Sequence, residues 1–241
     1  MSRKRYLRWI VAMALAAGAV LTGVAPQARA LDSRDKMRRE AASQSTKAAK
    51  VFDAIMQVPD KAIPADLIAK ARAIAVFPEV LKIAFTVGGE GGRGVVSRRH
   101  GDGTWSGPVF LRAGGPSFGA QIGASSTDLF LLIMNDESIE SLMKDRVELG
   151  GDVGVAAGPV GRHAGAATDA LMHAAILSYS RSRGLFAGVD VKGIVVKPED
   201  DLNLAVYNKT AEELFKEPVD GGIDAELNAF PRTLTRYTGQ S

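Results

Sequence analysis

Between residues 77 and 196 the chain repeats one local pattern: a short run of branched and aromatic side chains, then a cluster of glycines. KIAFTVGGEGGRGVVSRR, GPVFLRAGGPSFGAQIGASSTDLFLLIMND, LGGDVGVAAGPVGR and ILSYSRSRGLFAGVDVKGIVV carry it in turn. Apolar runs this short, bounded by turn residues, read as strands rather than helices. Strands joined by short turns pair antiparallel. Glycine inside strands marks bulges, strong bending or close backbone approach. The pattern predicts an α+β fold, a curved, largely antiparallel and barrel-like glycine-rich sheet with helices at its ends.

Periodicity changes on either side of this block. Over residues 32–57, Met37, Ala41, Ala48, Val51, Phe52, Ile55 and Met56 recur at three- and four-residue steps, the stripe of an amphipathic helix. Asp32 or Ser33 can cap it, and Pro59 stops it. Pro64 suits a first helical position, with Leu67, Ile68 and Ala71 as the inner face of a second, short helix. His100-Gly-Asp-Gly103 is a tight turn that needs positive φ. Asn135 caps a helix whose Ile139, Leu142 and Met143 face inward. Thr210 and Glu213 form a capping box for a late helix with Leu214 and Phe215. Residues 185–196 continue as strand after the turn at Ser182-Arg183-Gly184. Residues 217–241 read as a looser tail with one short helix near 225–229.

The first thirty residues have a different character. Arg3, Lys4, Arg5 and Arg8 form a basic head, residues 10–24 are apolar, and Ala28-Arg29-Ala30 supplies small residues for a signal peptidase. Residues 1–30 are therefore expected to be a signal peptide, of the ordinary secretory or the twin-arginine type, SRKRYLR being one residue from the latter. The expected location is the periplasm or the exterior, with peripheral attachment to a membrane. Residues 1–30 hold five of the 30 Lys and Arg and no acid, so removing them leaves 25 basic against 27 acidic side chains, a net of −2. No global basic field for nucleic acid remains. The chain has no cysteine, which excludes a lipobox anchor, disulfides and thiolate metal sites. The rest suits one compact domain: an N-terminal helix (31–57), a sheet domain (58–208), and a C-terminal helix and tail (209–241).

Two short motifs suggest catalysis or cofactor binding and lack the context for it. Gly89-Glu-Gly91-Gly-Arg-Gly94 satisfies G-x-G-x-x-G, but it leads into Val95-Val96-Ser97 where a helix should open, so it reads as a hairpin turn. Gly115-Pro-Ser117-Phe-Gly119 satisfies G-x-S-x-G, and His100, His163 and His173 are possible bases. Ser117 leads into strand and glycine, where a nucleophile elbow requires a helix. Asp169 and His173 share a face only in a helix, and two ligands do not make a metal site. The chain is expected to be no enzyme, with no catalytic, cofactor or metal residues.

Anion binding is the remaining chemistry. Lys36, Arg38, Arg39, Lys47 and Lys50 lie mostly off the apolar stripe of the 32–57 helix, as in helices that lie on membranes. Arg93, Arg98, Arg99 and His100 flank a hairpin. Lys82, Arg112, Arg162, Arg181, Arg183 and Lys192 are scattered over other strands. These cations either converge on one face and hold phosphates, or are ordinary solvent-facing positions. The helix either inserts its stripe in a membrane or packs it on the sheet.

A longer series of segments carries a resemblance. It runs through Ala71-Arg-Ala-Ile-Ala-Val-Phe77-Pro78, the 88–94 glycine cluster with Val95-Val96, Trp105-Ser106-Gly107-Pro108 and Ser117-Phe118-Gly119-Ala-Gln121-Ile122-Gly123. It continues with Thr127-Asp128, Leu149-Gly150-Gly151, Ala156-Ala-Gly158-Pro159-Val-Gly161-Arg162 and Ser178-Tyr179-Ser180-Arg-Ser-Arg-Gly184-Leu-Phe186-Ala-Gly188. In order and spacing, residues 58–208 resemble the SYLF domain, also called the Ysc84 family. The resemblance implies a non-enzymatic module binding anionic lipids, phosphoinositides in eukaryotic members, with help from an N-terminal amphipathic segment. Lys36, Arg38, Arg39, Lys47, Lys50, Lys82, Arg93, Arg98, Arg99 and Arg162 are the candidate lipid contacts. Some eukaryotic members bind actin. That role is not expected here, since this chain carries an export signal and lacks SH3 and FYVE domains. In a bacterial envelope the anions at hand are phosphatidylglycerol, cardiolipin, phosphatidic acid and lipopolysaccharide. The alternatives are an envelope structural or interaction protein without lipid binding, or a serine hydrolase using Ser117.

Overall fold

A computed structural model of the chain describes residues 24–58, 62–84, 88–117, 123–161, 174–182, 185–189, 191–219 and 224–238. Helices α1 (Val24–Met56) and α2 (Ala65–Lys70) lead into strands β1 (Ala73–Ala84), β2 (Gly88–Arg98), β3 (Val109–Ser117) and β4 (Gly123–Ile133). Helix α3 (Asp136–Leu142) precedes β5 (Val147–Glu148), β6 (Val155–Ala157), β7 (Ile176–Ser182), β8 (Leu185–Gly188) and β9 (Val195–Pro198). Helices α4 (Asp200–Tyr207), α5 (Ala211–Lys216) and α6 (Ala229–Thr238) close the chain. Most of the expected signal peptide, residues 1–23, lies outside the described residues.

The strands form one strongly curled half-barrel sheet in the order β5-β9-β3-β2-β1-β4-β7-β6, with β8 on β7. Every pairing is antiparallel except β6 with β7. The α+β class and the antiparallel, curved sheet agree with the sequence pattern. Curvature comes in part from β1, whose register to β2 shifts between Val76 and Leu81. Glu79 sits in that bulge at φ 54°, and its amide donates to Asp128 Oδ1 at 2.9 Å. A left-handed non-glycine residue is uncommon, so this hydrogen bond helps hold the bend.

Successive residues of a strand point to opposite faces, and here both faces are covered. Ala73, Ala75 and Phe77 of β1 pack with Leu111, Leu129 and Leu131 beneath α3 and α5, whose Ile139, Leu142, Leu214 and Phe215 are buried. Ile74, Val76, Phe110, Phe130, Leu132 and Tyr179 face the other way, against α1, α2 and α6. This two-sided burial explains why the central strands read as apolar runs rather than as alternating ones.

The apolar stripe of α1 belongs to this second layer. Ala41, Ala48 and Phe52 have no exposure and Ile55 has 3%. The Phe52 ring meets Phe230 and Tyr237 of α6 edge-on at 6.3 and 5.9 Å. Ser45 Oγ accepts from the Phe230 amide and donates to the Leu227 carbonyl. Of the two readings left open for this helix, packing on the sheet is the one observed from Ala41 onward. The expectation that the stripe inserts in a membrane is corrected to that extent: burying Phe52 is worth about 1.5–3 kcal/mol, which insertion would have to replace.

Several local expectations hold. Asn135 Oδ1 accepts from the Ser138 amide at 2.8 Å and caps α3. Thr210 and Glu213 form the capping box of α5. Gly103 closes its turn at φ 87°.

Three others are corrected. The glycines at 89–94 lie within β2, not in a turn, because β1 passes close by: a Cβ on Gly94 would run into the ring of Phe77. Residues 185–196 are two strands on opposite sides of the sheet, β8 beside β7 and β9 beside β3, divided by a turn at Lys192 and Gly193. The tail ends in a ten-residue helix, α6, whose Phe230 and Leu234 are fully buried.

Candidate functional site

The ladder between β2, β3 and β9 sets Arg93 opposite Arg112, and Arg112 opposite Lys197. Directly paired residues share a face with Cβ atoms about 5 Å apart, so three cations stand in a row across three strands. Like charges opposed in this way destabilise a sheet unless something neutralises them. The neutralising group is Glu199, two residues beyond Lys197 and hence on the same face, where β9 gives way to α4. Its side chain is 1% exposed. Its Oε1 accepts from Arg112 Nη2 at 2.6 Å and from Arg93 Nη2, while Oε2 has no hydrogen-bond partner among the described residues. The Glu199 amide donates to the Phe110 carbonyl, which fixes the residue at the strand end.

Arg93 has a second acidic partner. Its Nη1 donates to Glu40 Oε1, in the last exposed turn of α1 before the helix becomes buried at Ala41. Burial pulls the Arg93 guanidinium down, but the hydrogen bonds and charges of Glu40 and Glu199 outweigh it, and its pKa ends above the ordinary arginine value. Beside this row lies a groove of about 810 Å³, floored by Gly91, Gly92 and Gly114 and walled by Arg93, Arg112, Lys197, Arg146 and Asp145. Without side chains on the floor, an incoming group can reach backbone. Arg146 and Lys197 make no ion pair among the described residues. Arginine forks suit bidentate contact with tetrahedral oxyanions, and lysine adds a point charge.

The other expected contacts are dispersed. Arg98 points to the opposite face, where it donates to the Phe215 carbonyl at 3.0 Å and pairs with Asp136 at 3.2 Å. Arg99 donates to the Ala69 carbonyl and lies over the Trp105 ring at 6.0 Å. Lys47 is paired with Glu79 at 2.8 Å and Arg38 with Asp224 at 3.5 Å. Lys36, Arg39 and Lys50 are exposed on α1 and have no ion pair among the described residues. Lys82 is in β1, opposite Glu90 and Ser125, with its side chain outside the described residues, as is Arg162 altogether. Arg181 is bound by Asp128 through two hydrogen bonds. Of the expected contacts whose side chains are described, Arg93 alone lines the groove.

In the sequence Arg112 is only one of several scattered cations, and nothing there singles out Arg146 or Lys197. A partial signal exists, since Phe110 and Arg112 alternate on one strand and Lys197 and Glu199 on another. That the two strands pair is a long-range fact.

Ser117 closes β3, and Gly123 opens β4. Residues 118–122, which follow Ser117, lie outside the described residues. His163, Asp169 and His173 lie outside the described residues. Among the described residues no group of three His, Asp or Glu side chains is placed to hold a metal ion, and no helix is long and apolar enough to cross a membrane.

The chain is similar to known proteins along most of its length. Residues 114–237 match the family described as "Ysc84: Las17-binding protein actin regulator", a stretch that includes the end of β3 from Gly114, all of β9, Arg146 and Glu199. It is 36% identical over 171 residues to SH3 domain-containing YSC84-like protein 1 of Homo sapiens, covering 68% of this chain and 50% of that protein. LAS seventeen-binding protein 3 of Saccharomyces cerevisiae (strain ATCC 204508 / S288c) is 35% identical over 185 residues, 76% of this chain and 39% of the relative. Protein YSC84 of the same yeast is 35% identical over 177 residues, 70% and 38% of the two chains. The chain thus spans half or less of these relatives, one of which is named as a binding protein. With a curled antiparallel sheet under helices and a family match over half its length, the chain belongs to the Ysc84 family, the SYLF-domain proteins.

Proposed function

We propose that this protein is a non-enzymatic module that attaches to membrane surfaces by binding anionic lipid headgroups. The observation that supports this reading is the gathering of Arg93, Arg112, Arg146 and Lys197 around one glycine-floored groove. Glu199 and Glu40 offset part of this charge, and the positive charge left over beside the groove favours an anionic ligand. Lys36, Arg39 and Lys50 on the exposed side of α1 add a second, diffuse attraction. Each such residue near an anionic leaflet contributes roughly 1 kcal/mol, which gives weak and salt-sensitive attachment. The apolar stripe of α1 has no part in this reading from Ala41 onward, since it is core. The family is described by Las17 binding and actin regulation, whereas the groove's chemistry favours a small anion.

The reading includes export. Residues 1–30 deliver the chain to the periplasm or the exterior, where phosphatidylglycerol, cardiolipin, phosphatidic acid and lipopolysaccharide are the available amphiphiles. Mass spectrometry of the exported protein should find Leu31 at its N-terminus, and an intact N-terminus on protein retained in the cytoplasm contradicts it.

Liposome flotation tests the lipid reading. The protein should float with vesicles containing phosphatidylglycerol or phosphatidic acid, less so as salt rises, and remain behind with neutral phosphatidylcholine. Equal recovery with neutral and anionic vesicles overturns the reading and favours an envelope interaction protein.

A further inference from the structure

The charges around the groove do more than attract anions in general; they specify how many negative charges the occupant carries. Four cations line it: Arg93, Arg112, Arg146 and Lys197. Two carboxylates oppose them, Asp145 in the wall and Glu199 behind the row. The balance is two positive charges. A third carboxylate, Glu40, reaches Arg93 from α1, and while it stays there the balance is one. Glu40 and Glu199 differ in how readily they can leave. The Glu199 side chain is 1% exposed and bonded to both arginines, whereas that of Glu40 is 40% exposed and holds Arg93 alone. An incoming anion therefore competes with Glu40 and leaves Glu199 in place.

We propose that the groove is a binding site for a doubly charged phosphate monoester, which displaces Glu40 from Arg93 and is held by Arg93, Arg112, Arg146 and Lys197. The proposal rests on the anionic-lipid reading for its setting and goes beyond it in ligand class. A monoester carries close to two charges at neutral pH because its second pKa is near 6. A phosphodiester carries one, so once Glu40 is displaced it leaves the groove half neutralised. Three terminal oxygens also meet more donors than the two free oxygens of a diester. Arg112 spends one nitrogen on Glu199 and keeps the rest of its fork for the ligand. A lipid headgroup of the phosphatidic acid kind and a soluble phosphate ester both present this monoester, and the chemistry recognised is the same.

The experiment compares phosphatidic acid with phosphatidylglycerol in phosphatidylcholine vesicles matched for surface charge, alongside titration with soluble glycerol 3-phosphate. The proposal predicts tighter binding to the monoester vesicles at pH 7.5, a preference that shrinks at pH 5, where the monoester carries about one charge. Arg112→Gln with Lys197→Gln should lower monoester affinity roughly tenfold or more, the scale of losing charge-assisted hydrogen bonds. Glu40→Gln should raise it several-fold, because the competing carboxylate is gone. A merely structural role for Glu40 predicts no gain. Thermal melting confirms that each variant is folded. Equal binding to both vesicle types at matched charge, with no effect of Glu40→Gln, overturns the monoester site and leaves the lipid reading standing. Binding of glycerol 3-phosphate without binding to either vesicle supports the site and overturns the lipid reading. Binding to neither overturns both.

Discussion

Two cationic clusters, one built around Arg93 within β2 and one at the end of that strand, do different things. At the strand's far end, adjacent Arg98 and Arg99 are the densest cationic run of the sheet, yet each is committed within the fold. Arg98 closes the end of α5 through the Phe215 carbonyl, and Arg99 binds the Ala69 carbonyl and stacks on Trp105. Near the middle, Arg93 is alone in the sequence and gathers Arg112, Lys197 and Arg146 through strand pairing and one neighbouring loop. The first cluster fastens helices to the sheet; the second leaves surplus positive charge in a groove. Adjacency in sequence puts two side chains on opposite faces of a strand, whereas register puts distant ones on the same face.

The difference should appear first in stability. The carboxylate serving the groove is buried, and the one serving Arg98 is 55% exposed. Glu199→Ala removes the shared partner of two arginines and is expected to cost about 3 kcal/mol, as for one side of a buried pair. Asp136→Ala removes a surface partner and should cost about 1 kcal/mol or less. Urea unfolding of the two variants checks the contrast, and equal losses would erase it. Arg98→Gln comes next, at roughly 1–2 kcal/mol, since it orphans a carbonyl and frees α5. It should leave recovery with anionic vesicles unchanged.

Alkaline pH gives a smaller effect that separates the core from both clusters. Burial raises the hydroxyls of Tyr179 and Tyr207 above their ordinary value of 10, and for Tyr207 the charge of Arg38 only partly opposes this. Each therefore keeps its proton in the folded chain at a pH where the unfolded chain loses it. Their stabilising contribution is full below pH 10 and declines as pH rises above it. The Tyr179 hydroxyl has no hydrogen-bond partner among the described residues, so Tyr179→Phe should change stability at pH 7 by under about 1 kcal/mol while flattening the alkaline decline. Melting curves between neutral pH and pH 11 test this, and an unchanged alkaline slope contradicts it.

Legibility in the sequence depends on the range of the interaction. Caps and turns are local, so Asn135, the Thr210 and Glu213 box, and Gly103 are legible. Strand identity is legible from composition, and strand partners are not. The turn at Lys192 and Gly193 sends β9 across to β3, far from β8, and without that crossing Lys197 and Glu199 have no relation to Arg112. The last helix reads as loose tail because Phe230 and Leu234 are spaced among Thr and Arg. Their burial depends on Phe52, far earlier in the chain. The cations of α1 are legible as a charged face, but whether its stripe is core or free depends on that same distant packing.

Co-flotation with anionic vesicles, run on two double variants of equal charge change, tests the central claim most directly. Arg112→Gln with Lys197→Gln empties the groove of half its cations, and Arg98→Gln with Arg99→Gln removes as much charge from the other cluster. The account predicts that the first pair abolishes most of the recovery while the second retains it. Equal loss from both would show that net charge alone drives attachment and that the groove is no site.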